Sequence, residues 1–438
     1  MKKTLLLTSL VASMVAMAGT TGSVEGYNKN EATFENGKDA TFVAKETGVK
    51  TEVKVEGTGF SFGGEFKAEN LKLSEDNKEN LLNHSNVWAK YELPELKGVK
   101  SYVQAKVEPK FIGADKGSAE LEGQVSYKYD VLTFGLNSKT NFPFVKSAGN
   151  DNYGKDVKST HKVFVESEEG KDVFVKGLKD VKANVEVKHD YKKIEENHKA
   201  SEAVDYVSGE ASAKYDAVKD LELEGKVAFK KNFKSTEKIG DYKVLETKLF
   251  EKKEARYIHS YELKGTYTGV KHLTLSAKPF VAHVNLSKDK QSRVDKVLYG
   301  VELDAEYKML NDKLTLTGKS LLAGVHDRKI DETKTNTGVF VFDANAKYDY
   351  SVTDKFTVSP EANANLELLV SKKVDKLVTE PTLTLTPKVS AEYKPTDTLT
   401  LKGSVEAPVK FGVNAANQKF EYKQTQVKTS LNLKYEWK

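Results

Sequence analysis

Apolar and polar residues alternate with a period of two over most of this chain, in runs of about ten residues or more. Over 398–413 the odd positions are Leu399, Leu401, Gly403, Val405, Ala407, Val409, Phe411 and Val413; the even ones are Thr398, Thr400, Lys402, Ser404, Glu406, Pro408, Lys410 and Gly412. Over 355–370 the apolar face is Phe356, Val358, Pro360, Ala362, Ala364, Leu366, Leu368 and Val370, with Leu369 out of step. Over 297–307 it is Val297, Tyr299, Val301, Leu303, Ala305 and Tyr307, with Leu298 out of step. Residues 99–108 and 118–128 repeat the pattern, and no segment of similar length spaces its apolar residues like a helix. Successive side chains of a strand point to opposite faces, so each run is a strand with one apolar and one charged side. Globular strands usually run about five or six residues, which weighs against a soluble sandwich. Around Lys278-Pro279-Phe280 the apolar set switches parity, which predicts a bulge, a place where proline's missing N–H is tolerated.

The strands are punctuated by a recurring unit: a tyrosine, a short polar turn, then Leu-X-Leu or a close variant. It reads Tyr215 to Leu221-Glu222-Leu223, Tyr267 to Leu273-Thr274-Leu275, Tyr307 to Leu314-Thr315-Leu316, Tyr348 to Phe356-Thr357-Val358, and Tyr393 to Leu399-Thr400-Leu401. With Tyr435 and Trp437, these tyrosines form a candidate aromatic girdle at a membrane–water boundary, where a ring with a polar tip belongs. Short connections such as 394–397 and 309–312 alternate with longer polar stretches at 73–85, 143–161, 232–253, 287–294, 327–336, 371–379 and 413–420. The fold class this predicts is all-β: a transmembrane antiparallel up-and-down β-barrel of about 18 strands (16–20), with short periplasmic turns and longer extracellular loops. One predicted strand covers 50–70 and another 162–176.

At the amino end Lys2 and Lys3 precede an uncharged apolar run, Leu5 to Met17, and Ala16-Met17-Ala18 offers small residues before a cleavage point at Gly19. Residues 1–18 read as a signal peptide, the run being short of the roughly 20 residues of a spanning helix. Residues 19–48 read as a periplasmic extension or an extra hairpin, and 49–438 as the barrel.

Composition removes other classes. The 438 residues include 69 basic and 64 acidic side chains, interspersed, for a net charge of +5. A nucleic-acid binder would concentrate its basic charge, so no nucleic-acid partner is expected. No cysteine is present, so no disulfide holds the fold. Mean hydropathy is −0.55 and no second long apolar run occurs, against a helical membrane protein. No phosphate-cradling or dinucleotide motif appears. Gly57-Thr58-Gly59-Phe60-Ser61-Phe62-Gly63 lies in a strand pattern, and His189 and His198 fall in a Lys/Glu-rich stretch without compact metal-ligand spacing. No catalytic, cofactor-binding or metal-binding residue is assigned, and no enzyme activity is expected.

The carboxyl end alternates Leu431, Leu433, Tyr435 and Trp437 with Asn432, Lys434, Glu436 and Lys438. This resembles the terminal strand of Gram-negative outer-membrane porin-type barrels, which typically ends on an aromatic residue; here Lys438 follows Trp437. The resemblance implies export to the outer membrane, partnership with outer-membrane lipid, recognition of the last strand by the barrel-assembly machinery, a homotrimer, and passive diffusion of ions and small hydrophilic solutes. The polar faces supply candidate pore-lining residues: Glu222, Glu224, Lys226, Glu361, Asn363, Lys388, Glu392, Lys402 and Glu406. Both signs occur, which implies mild selectivity. The three arginines, Arg256, Arg293 and Arg328, fall near predicted loops, so the charge ladder is made by lysine. An adhesin acting through its loops and an outer-membrane hydrolase are the alternatives.

Overall fold

The computed structural model describes residues 19–72, 85–109, 117–144, 157–190, 204–233, 243–244, 247–248, 257–285, 294–329, 336–373, 376–413 and 419–437. Among them the regular elements are all strands, and twenty build one closed barrel. They are β1 (Thr20–Glu35), β2 (Thr41–Val55), β3 (Phe60–Lys72), β4 (Asn86–Leu96), β5 (Val99–Pro109), β6 (Gly117–Tyr129), β7 (Leu132–Pro143), β8 (Lys158–Ser167), β9 (Leu178–Asp190) and β10 (Val204–Val218). There follow β11 (Leu221–Asn232), β12 (Tyr257–Val270), β13 (Leu273–Asn285), β14 (Val294–Met309), β15 (Leu314–Lys329), β16 (Asn336–Tyr348 continued by Tyr350–Thr353), β17 (Phe356–Lys373), β18 (Lys376–Thr396), β19 (Leu399–Glu406 continued by Val409–Val413) and β20 (Phe420–Trp437). A two-residue pairing, Lys243–Val244 with Thr247–Lys248, stands apart from this sheet.

Each strand pairs antiparallel with its neighbours in sequence, and β20 returns to β1, with Gly22 opposite Trp437 and Glu35 opposite Gln424. Closure leaves no strand edge, which lipid could not satisfy. Twenty lies within the expected 16–20. Residues 20–72, read as an extension or an extra hairpin over 19–48 and one strand over 50–70, form three strands, β1, β2 and β3; the outward positions of β1 (Gly22, Val24, Gly26, Asn28, Asn30, Ala32, Phe34) carry little apolar signal. At the seam, a side chain on Gly22 would come within 2.6 Å of Trp437 Cζ2 and 2.3 Å of the Glu52 carbonyl oxygen. Glycine lets the Trp437 ring lie on the backbone, where its indole N–H reaches Thr20 Oγ1 at 3.4 Å.

Both chain ends of the barrel lie on one side, with the connections 97–98, 130–131, 219–220, 271–272, 354–355 and 397–398, each two residues long. Asp130, Asp220 and His272 hold φ of 53°, 59° and 63°; aspartate and histidine are among the residues that enter this left-handed region most readily. This is the turn end. The strand predicted over 162–176 instead ends at Ser167, and 168–177 is a folded connection at the turn end whose Val173 is fully buried. There Lys128 bonds Glu168 at 3.1 Å and holds its carboxyl below the usual carboxylate range. The other side is the loop end. The long loop predicted at 371–379 is mostly strand, since β17 runs to Lys373 and β18 begins at Lys376. Of the predicted loop arginines, Arg256 and Arg293 lie outside the described residues.

Apolar residues cover the outer surface: Leu322 is 62 % exposed, Val163 61 %, Leu431 59 % and Val125 53 %. An apolar surface this extensive suits lipid rather than water. The predicted bulge near Pro279 is absent. β13 pairs with β14 without a break from Leu273↔Tyr307 to Asn285↔Asp295. Phe280, Ala282 and Val284 keep the parity of Ser276 and Lys278, so from Pro279 to Ala282 β13 is apolar on both faces. The residues out of step in the sequence, Leu298 and Leu369, belong to the same inner surface. Leu298 joins Phe280, Ala282, Val284, Leu321, Ala323, Val325, Val339 and Val341 in a buried apolar cluster inside the barrel, and the partly buried Leu369 packs against it.

Candidate functional site

The inner wall is the charged face of each strand. Curvature identifies it: the Tyr27 hydroxyl on β1 reaches over β2 to donate to Glu65 on β3 at 2.5 Å, a span that only the concave side shortens. Asn137 on β7 likewise reaches over β6 to Tyr102 on β5, at 3.3 Å.

All nine pore-lining candidates lie on this face, and neighbouring strands bring them into register. Glu361 meets Lys388 at 3.2 Å, and Lys388 stands opposite Glu406, which takes Lys428 at 3.1 Å. Glu392 meets Lys402 at 2.7 Å and Lys394 at 2.5 Å. Lys226 meets Glu210 at 2.8 Å, Glu222 is 3.9 Å from Lys214, and Glu224 stands between Lys214 and Lys264. Asn363 donates to Asp343 at 2.9 Å. Acid and base therefore alternate around the wall and pair along it. Such half-exposed pairs contribute little to stability, about 0–1 kcal/mol each. Their side chains remain wet, Lys402 being 58 % exposed.

The wall has two sectors. On β12–β16 the turn-end half is polar, with Lys278 bonded to Glu302 at 2.9 Å and Ser276 to Asp304 at 3.2 Å. The loop-end half is the buried apolar cluster, beginning at Leu321 directly opposite Glu302. From β18 through β20 and β1 to β11, acid–base pairs recur on the inner face from strand to strand, as in Lys29–Glu46 and Lys139–Glu120.

The girdle candidates face outward near the turn end, and register explains the repeated unit. Tyr267 stands opposite Leu275, Tyr307 opposite Leu316, Tyr215 opposite Leu223 and Tyr393 opposite Leu401, so the last leucine of each Leu-X-Leu packs beside the tyrosine of its hairpin. Tyr348 stands opposite Leu314, and Tyr435 opposite Leu399. Trp437 stacks on Tyr435 with centroids 6.3 Å apart and is covered by the seam rather than exposed.

Inward aromatic residues were not anticipated. Tyr102 donates to Glu122 at 2.6 Å and carries Lys90 over its ring at 4.2 Å. Tyr206 donates to Glu186 at 2.6 Å with Lys230 over its ring at 4.0 Å. Trp88 lies over Gly63, where a side chain would meet the indole at 2.9 Å. Parity carries the signal, since Tyr102 falls in step with Lys100, Gln104 and Lys106. His189 stands on β9, not in a loop, and His198 lies outside the described residues.

No protein-family model and no curated protein matches this chain. Among solved structures it is similar to OccAB2 of Acinetobacter baumannii, with a TM-score of 0.43 and 8 % identity over 96 % of this chain and 99 % of that one. It is also similar to OmpT of Vibrio cholerae in its trimer form, with a TM-score of 0.34 and 11 % identity over 96 % and 100 %. An anion-selective porin from Comamonas acidovorans gives a TM-score of 0.32 and 11 % identity over 95 % and 100 %.

Proposed function

We propose that this protein is a porin of the outer membrane of a Gram-negative bacterium, exported through a cleaved signal peptide, and that it passes ions and small hydrophilic solutes by passive diffusion. The observation that carries this reading is the pairing of an apolar exterior with a charged inner wall in a barrel of twenty strands. A barrel of about eight strands is filled by its own side chains, whereas one of about 16–18 leaves an aqueous channel. Interleaved lysines and carboxylates supply a hydrated path with both signs at hand, which favours mild selectivity. The wall performs no bond chemistry on this reading, and neither enzyme activity nor a cofactor is part of it. The refolded protein in a planar bilayer should give stepwise conductance with a small reversal potential in a salt gradient. A correctly folded, heat-modifiable protein that stays electrically silent would defeat the reading. The adhesin alternative rests on the loop-end connections, most of which lie outside the described residues.

The terminal strand β20 supplies the signal for the barrel-assembly machinery, and the barrel self-associates as a homotrimer. Self-association is supported by an irregularity on the lipid face. At mid-height, where other strands present apolar residues, Asn28 donates to Thr47 at 2.7 Å, Asn30 bonds Asn28, and Asn30 reaches Thr429 at 3.4 Å. Polar groups within a membrane face protein interior or a protein partner rather than lipid. An Asn28→Leu, Asn30→Leu double variant should fold and close but run as a smaller species in cross-linking and native electrophoresis. Unchanged oligomer size would remove this support.

A further inference from the structure

We propose that the outward rim at the loop end is a histidine belt that binds the phosphate groups of anionic lipids. Six histidines lie among the described residues. Five of them, His161, His189, His259, His283 and His326, fall within the last four residues at the loop end of β8, β9, β12, β13 and β15. All five are on the outward face. His259 pairs with His283, His283 with Val297, and Val297 with His326, while His161 pairs with Ser138 and Val187. The sixth, His272, sits in a turn at the opposite end.

Height places the belt at a lipid boundary. Along β14, Val297, at the level of His283 and His326, stands ten residues (307 − 297) from girdle Tyr307. At about 3.3 Å per residue and a tilt of about 45°, this separation is roughly 23 Å along the barrel axis, close to the roughly 25 Å apolar band of an outer-membrane barrel. If the tyrosines mark one interface, the histidines mark the other, where lipid phosphates lie.

The rings are grouped as anion sites. His161 and His189 stack with centroids 4.9 Å apart, and Ser138 Oγ holds His161 Nδ1 at 2.9 Å. His259 and His283 flank Tyr257, each 5.4 Å from it. Two imidazolium rings in contact repel one another, and a phosphate between them removes the penalty while accepting charge-assisted hydrogen bonds from both. As side-chain types, a phenol is neutral near pH 7, whereas an imidazole changes charge within the range of about pH 5 to 8. Among the described residues, the other ionisable groups at this rim are Tyr257; Lys231, on the outward face between Val207 and Tyr257; Asp205, fully buried on β10 beside Val204, which pairs with His189; and Asp295 and Arg328, paired with each other two residues further toward the loops than Val297 and His326. Lys231 adds to the positive rim.

The proposal rests on the barrel lying in a bilayer and not on its conducting, so a silent bilayer recording would leave it standing. The test is the thermal unfolding midpoint of the full chain in phosphatidylcholine vesicles with and without phosphatidylglycerol, at about pH 5.5 and about pH 8. The anionic lipid should raise the midpoint more at the lower pH. A variant with all five histidines changed to glutamine should lose that pH-dependent gain, and so should one with all five changed to tyrosine, which keeps an amphipathic ring without the charge. Should either multiple variant fail to fold, H161Q/H189Q and H259Q/H283Q should each lose part of the gain. Equal midpoints in the two lipids, or a gain that survives the glutamine changes, overturns the proposal. A gain abolished by a chelator also overturns it, because a metal ion would then be the ligand.

Discussion

Leu321→Ala lowers the stability of the barrel by about 2–5 kcal/mol, the range for truncating a large side chain that has no room to collapse. Leu321 is fully buried on the inner face of β15, opposite Glu302 on β14 and Val341 on β16. Neither lipid nor bulk water reaches it, so the lost methyl groups leave a void among Leu298, Ala323 and Val341. The adjacent residue is the control. Leu322 points into lipid and is 62 % exposed, so acyl chains fill the space left by Leu322→Ala and the cost is clearly smaller. Denaturant titration of both variants in lipid vesicles checks the pair. Equal losses would mean that the inner cluster is not packed.

Leu303→Lys destabilises folding in lipid by about 2–4 kcal/mol, the penalty of a lysine near the bilayer midplane on the outer face of a barrel. Leu303 is 48 % exposed on that face, four residues (307 − 303) from girdle Tyr307, about 13 Å along the strand. Its inner counterpart is Lys319, which the register sets between Asp304 and Asp343. Lys319→Leu removes a wet charge, so stability should change little, while the two aspartates left behind shift the reversal potential towards cation preference. Refolding titrations and salt-gradient recordings read the two effects separately. A larger stability loss for Lys319→Leu than for Leu303→Lys would mean that the two faces have been exchanged.

Much of this was legible because a lipid-facing strand leaves a period-two trace. The alternation in 398–413 and 297–307 marks strands that the structure contains, and the tyrosine at each hairpin marks its turn end. The signal failed where outward residues are small or polar. Gly22, Gly26, Asn28 and Asn30 hid β1, and its pairing with β2 and β20 became visible only when the barrel closed. It failed also where both faces are apolar: the run from Pro279 to Ala282 looked like a change of parity, because the sequence does not say which of two apolar faces meets lipid.

The chain's own order of residues determined the strand class, the outward face of most strands and the polarity of the inner wall, since a period of two maps directly onto two faces of a pleated sheet. Only the closed barrel decided which lysine meets which carboxylate, which carboxylates Tyr27, Tyr102 and Tyr206 reach, and that five histidines from distant hairpins share one rim. Those relations depend on register and curvature between strands, and neither is written in the spacing of residues along a single strand.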